Sequence, residues 1–166
     1  MQVSVTKLVV VGIVTVVLVV VGGPLVADVF LPEQSTTVSE AAVPADATAI
    51  KTGTFNGADS AHDVSGTVTL YRDSDGHFLR FEAYEQTQGP DVFVYLTPAA
   101  NPETEADIEA GTKVRIDGGA DGGESTKEGT FTQRLPADFE PQEYNGVSIW
   151  CDDFSVPFGS ATLSDV

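Results

Sequence analysis

The stretch Val64-Ser65-Gly66-Thr67-Val68-Thr69-Leu70 decides the fold class. Val64, Val68 and Leu70 fall on one side and Ser65, Thr67 and Thr69 on the other, the two-residue period of a strand with one face in a core and one in water. Asp73-Ser74-Asp75-Gly76 follows, and Asp and Gly accept the backbone angles of a tight reversal. The returning run alternates again, with Leu79, Phe81 and Ala83 opposing Phe78, Arg80 and Glu82. The reading is a hairpin.

Further along, residues 92–96 are apolar on both faces, which predicts a central strand covered on both sides. Segments 113–116, 130–135, 147–152 and 155–158 bring the set to about eight strands. Only residues 104–110 carry a helical turn. The expected architecture is an all-β domain over residues 50–166, an antiparallel β-sandwich or flattened barrel. The Gly-rich run 117–123 has no Lys and no following helix, so it reads as a mobile loop and not as a phosphate cradle.

Before this domain, no charge occurs between Lys7 and Asp28, and residues 8–21 are almost entirely apolar. Segment 1–31 therefore reads as one transmembrane or signal helix. Lys7 before the run and the acidic excess after it put the N-terminus in the cytoplasm and the domain outside the cell membrane, on a single-pass anchor. The alternative is secretion after cleavage near Ala27, at the end of a signal-type apolar stretch. Residues 32–49, rich in Ser, Thr, Ala, Pro and Glu, read as a flexible stalk.

The chain holds 25 acidic and 8 basic residues, and Lys7 is the only one of these before Asp28. From Asp28 onward 7 basic face 25 acidic side chains, a net charge of −18. Such a surface excludes nucleic acid as a partner, because phosphate binding needs clustered cations. A uniform acidic excess instead suits a halophilic setting, with a calcium-binding surface as the competing view. The Asp73–Gly76 turn lacks the later Glu of a calcium loop and is read as a hairpin turn.

The chain has one cysteine, Cys151, within Val147-Ser148-Ile149-Trp150-Cys151-Asp152-Asp153-Phe154. It cannot pair within the chain, so beyond packing its uses are redox chemistry, ligation, or pairing with another chain. Strand parity places it on the face of Val147 and Ile149, where it would serve as a small hydrophobe beside Trp150 and Phe154. Asp152 and Asp153 disfavour its thiolate. No His follows Cys151 and the sole Met is Met1, which argues against blue copper, and no metal site is expected. His62 and His77 are edge residues that become cofactor ligands with Cys151 only if the fold brings them together. Asp91 caps a turn or stands by a pocket with Tyr95; Trp150, Tyr71 and Tyr95 are contact candidates if exposed. No nucleophile elbow or paired His suggests a hydrolase, and no stand-alone enzyme is expected.

The Trp150-Cys151 pair, the segment Gly89-Pro90-Asp91-Val92-Phe93-Val94-Tyr95-Leu96 and the terminal Phe158-Gly159-Ser160-Ala161-Thr162-Leu163 together resemble the DM-thirteen domain, the small electron-transfer-type domain found beside DOMON domains in Skeletor-like proteins. The resemblance covers roughly residues 50–165. It implies a redox role for Cys151, as a bare thiol or as ligand to a prosthetic group such as haem, and a redox protein as partner. The alternative is a non-catalytic surface module that binds a protein, glycan or cation, with Cys151 buried and structural.

Overall fold

A computed structural model of the chain describes residues 34–166. The segment 1–31, expected to form a transmembrane or signal helix, lies outside the described residues. The described part is all-β, with eleven strands in two sheets, one short α-helix and a single 3-10 turn at Pro141–Glu143. In chain order the strands are β1 (Thr36–Ser39), β2 (Thr48–Thr54), β3 (Asn56–Gly57), β4 (Val64–Asp73), β5 (Gly76–Gln86), β6 (Val92–Thr97), β7 (Thr112–Val114), β8 (Lys127–Arg134), β9 (Gly146–Cys151), β10 (Val156–Thr162) and β11 (Ser164–Asp165); helix α1 (Glu105–Glu109) precedes β7.

The first sheet runs β1-β8-β5-β4-β2-β11 and the second β3-β10-β9-β6-β7. All pairs are antiparallel except β1 with β8. Neither sheet closes on itself, so the architecture is the sandwich and not the flattened barrel, with eleven strands where about eight were expected. The extra strands are mostly two- to four-residue edge pieces, too short to show a period.

The core follows from parity. Val68 and Leu70 of β4, Leu79 and Phe81 of β5 and Phe131 of β8 face Val92, Val94 and Leu96 of β6 and Val147, Ile149 and Cys151 of β9 in one cluster. Phe81 and Phe131 stack at 4.6 Å, and Tyr84 meets Phe81 edge-on at 5.2 Å, the arrangements that the ring quadrupole favours. The opposite face of the second sheet is also buried. Phe93, Tyr95 and Trp150 form a second cluster there with Ile108 of α1, which explains why β6 is apolar on both faces.

Parity fails with most consequence at a bulge in the central hairpin; the ladders also slip at Ile50 in β2 and at Phe158 in β10. Gly66 (φ +98) faces Ala83 (φ +47), and the ladders slip between Ser65 and Thr67 and between Phe81 and Tyr84. One extra residue inverts the side-chain pattern beyond it. Ala83 is therefore exposed, and Tyr84 enters the core instead.

The segment read as a stalk contributes β1. Val38 packs on the core, and Glu40 accepts from Lys127 Nζ and from the Thr132 N–H and hydroxyl, each at 2.8 Å. Gly129 permits the approach: its φ is +92, and a Cβ there would stand 2.2 Å from the Val38 carbonyl oxygen. A strand held by backbone pairing and one apolar side chain leaves no periodic trace in sequence. The Gly-rich run, read as a mobile loop, is a set of turns tied by Gly119 N–H to Ile116 O (3.0 Å), Gly123 N–H to Ala120 O (2.8 Å) and Ile116 N–H to Gly123 O (2.9 Å).

Candidate functional site

Cys151 ends β9, between β6 on one side and β10 on the other, where Val92 and Val156 are its ladder partners. Its side chain is 0% exposed and belongs to the main core. The thiol donates to the Pro90 carbonyl at 3.2 Å. Trp150 and Phe154 are not its packing partners as expected: Trp150 points to the opposite face of the sheet, and Phe154, in the β9–β10 turn, is 54% exposed. A strand sends adjacent side chains to opposite faces, so the Trp-Cys pair divides between two clusters.

Residues 152–155 fold back over the end of β9 as that turn. Burial raises the pKa of the Cys151 thiol, and the Asp153 and Asp152 carboxylates add to the rise; the backbone N–H groups of Phe154 and Asp153 pull the other way without reversing it. Cys151 is thus held as a neutral thiol, as the two following aspartates foretold.

On the opposite face of the sheet, beside Trp150, a polar cluster joins β6, β7 and the β9–β10 turn. Asp152 is the hub: its N–H donates to the Asp91 carbonyl at 2.9 Å, Tyr95 Oη donates to its Oδ1 at 2.8 Å, and Lys113 Nζ lies 2.5 Å from its Oδ2. Lys113 also stands over the Phe93 ring, 3.8 Å from its centroid, a cation–π contact. Asp91 adopts φ +49, a left-handed conformation that Asp tolerates better than most residues. Its carboxyl is pushed up by burial, then by the charge of Asp153 and a hydrogen bond with that carboxyl, and by Asp152, with Lys113 opposing. Burial and the Asp152 contact likewise raise the Tyr95 phenol.

Of the expected site residues, Tyr95 and Trp150 share the face of the second sheet opposite Cys151, and Asp91 is tied to that side by the bond its carbonyl accepts from the Asp152 N–H. Trp150 at 3% and Tyr95 at 8% exposure are not free contact residues; Tyr71 is partly exposed, its ring stacked on Phe78 at 5.2 Å. His77 is not part of the cluster. It pairs with Arg72 near the β4–β5 turn and meets Phe139 at 5.6 Å. Cys151 is level with the other end of β5, where Tyr84 bonds Ser125 at 2.8 Å and the Ser125 N–H reaches Val92 O at 2.7 Å. Seven residue steps along β5 lead from His77 to Tyr84, ~20 Å at the usual rise. His62 is at the Cys151 end, in a bend before β4, with its ring 4.5 Å from Phe158 and its Nδ1 3.0 Å from Asp59.

No group of three or more His, Cys, Asp or Glu among the described residues could hold a metal ion. A haem iron would need the sulfur on an open face with space for the macrocycle. A core thiol whose proton is given to Pro90 O offers neither, so the residues present do not fit that group. Lys113 was missed in the sequence reading because a lone lysine on a three-residue edge strand carries no motif; its opposition to Tyr95 across the β6–β7 ladder is what brings it to Asp152.

No curated protein and no solved structure matches the chain. A family model described as electron transfer DM13 matches residues 54–163, which takes in β4 to β10, the Asp91–Asp152 cluster and Cys151. With about two-thirds of its length so matched, the chain belongs to the electron transfer DM13 family.

Proposed function

We propose that this chain is a membrane-tethered, extracytoplasmic electron-transfer domain whose redox centre is the single thiol of Cys151. The observation that carries this reading is a core-buried sulfur with polar backbone partners of its own, next to a turn that is clamped on the opposite face of the sheet. The Sγ proton is directed to the Pro90 carbonyl, the turn amides of Asp153 and Phe154 favour its anion, and Asp152 clamps the adjoining turn to Tyr95 and Lys113. A cysteine serving only as a small hydrophobe requires none of these partners. Access to the sulfur comes through opening of the β9–β10 turn, so a redox protein partner must displace that turn or exchange electrons through it. The apolar segment before Asp28 supplies the tether.

A second reading is favoured by the full burial of Cys151: a surface module that binds without electron transfer, the thiol being structural. Thiol–disulfide exchange separates the two. In native salt, the full chain should exchange with an aromatic disulfide, the Cys151 sulfur forming a mixed disulfide as one aromatic thiol leaves, and return to the thiol on reduction; Cys151→Ala and Cys151→Ser, folded by circular dichroism, should release no aromatic thiol. Equal release by the parent and both variants defeats the redox reading.

A further inference from the structure

We infer that the cleft at the open edge of the sandwich binds a small, flat, apolar anion of the aromatic carboxylate or sulfonate type, at a site separate from Cys151. The cleft, about 700 Å³, opens between the edge strand β7, the end of β8 and the 135–144 connection. That volume falls within the few hundred to ~1,000 Å³ of sites that enclose small ligands. Leu96, Val114 and Leu135 form its floor. One wall is the Phe139–Tyr144 pair, whose rings are nearly coplanar in orientation, 9° apart, at 4.9 Å between centroids. A flat apolar body finds its complement there.

The charge at the rim selects the sign. Seven cations serve the whole part of the chain from Asp28 onward, which carries −18, and three of them, Lys113, Arg115 and Arg134, line this cleft against two carboxylates, Asp117 and Asp138. With Asp152 and Asp73 counted as the partners of Lys113 and Arg134, the attraction for an anion rests on Arg115. Lys113 and Arg134 are already committed, Lys113 to Asp152 and Arg134 to Asp73 through two contacts of 2.7 and 2.6 Å. Arg115 is not: it is exposed, forms no ion pair among the described residues, and gives only Nη1 to the Gly122 carbonyl at 3.0 Å. Its remaining guanidinium donors are those that meet the ligand's anionic group, in the forked geometry that carboxylate and sulfonate oxygens accept.

The test is isothermal titration calorimetry of the full chain with 2-naphthalenesulfonate and with uncharged 2-naphthylmethanol, at one fixed salt concentration. We expect saturable 1:1 binding of both, the sulfonate about five-fold tighter, as a partly exposed ion pair allows. Arg115→Gln, at an exposed position, should bring the two to parity, and Tyr144→Ala should weaken both. Cys151→Ala should bind as the parent does, so this site stands or falls apart from the redox reading. Absence of saturable binding, an unchanged preference in Arg115→Gln, or loss of binding in Cys151→Ala would overturn the assignment.

Discussion

Asp152 is the residue whose removal most directly probes how Cys151 is sealed. Its carboxylate takes a hydrogen bond from Tyr95 at 2.8 Å and pairs with Lys113 at 2.5 Å, with both charged side chains about one-third exposed at 32%. Hydrogen bonds to charged groups contribute ~1.5–3 kcal/mol each when buried. Discounted for solvent screening, the two together hold the turn by ~1–2 kcal/mol. If the thiol is reached by local opening of residues 152–155, Asp152→Ala should raise the open population about 5- to 30-fold. The assay is the rate of Cys151 modification by an aromatic disulfide reagent under native conditions, set beside global stability from denaturant melts. Asp152→Asn serves as the control, because it retains an acceptor for Tyr95 while losing the charge that raises the thiol pKa. Modification rates in Asp152→Ala that stay at the parent's value, or that rise only as far as global unfolding requires, would refute local opening as the route to the sulfur.

Other outcomes follow from the same geometry. Asp91 holds its proton to higher pH folded than unfolded, so stability falls as pH rises through the window above its ordinary value of 3.8; Asp91→Asn, also tolerant of φ +49, should melt higher than the parent at neutral pH, with the gap closing as both approach ~pH 4 in thermal scans. Gly66→Ala would put a Cβ 2.6 Å from the Ala83 carbonyl oxygen at φ +98 and should cost ~2–3 kcal/mol or more in chemical denaturation. The folded fraction should fall as salt is diluted below about 1 M, because a charge of −18 from Asp28 onward is then less screened; circular dichroism across a salt series measures it. In cells, the mature chain should fractionate with membranes, and a soluble chain beginning near Asp28 would replace the anchor with a cleaved signal.

The sandwich was legible where strands are long and half-buried, since alternation in β4 and in the first half of β5 states which side chains enter the core. It was illegible where pairing is a backbone matter. Gly66 and Ala83 make a bulge that inverts the pattern without changing composition, and β1 is recruited onto β8 through Gly129 and the Glu40 contacts, long-range partners that no local window contains. For the site, parity alone placed Cys151 on the core face with Val147 and Ile149. The same parity separates it from Trp150, which adjacency in sequence had joined to it. Asp91 and Tyr95 were singled out from the Gly89-to-Leu96 segment, but the reason they matter, a shared tie to Asp152, depends on the antiparallel β6–β9 register in which Val92 meets Cys151. Asp152 itself was read only as a charge acting against the thiolate. Its role as the clamp of the turn required Lys113 and Tyr95 to be neighbours in space.

The central claim is that Cys151 cycles between redox states within the folded domain. Differential alkylation of the full chain in native salt, before and after exposure to an oxidised and then a reduced small-thiol buffer, with mass spectrometry at Cys151 and circular dichroism on the same samples, tests it most directly. The account predicts reversible oxidation of Cys151 with the β-sheet signal unchanged. A thiol that remains reduced and unmodified until the domain unfolds would contradict it.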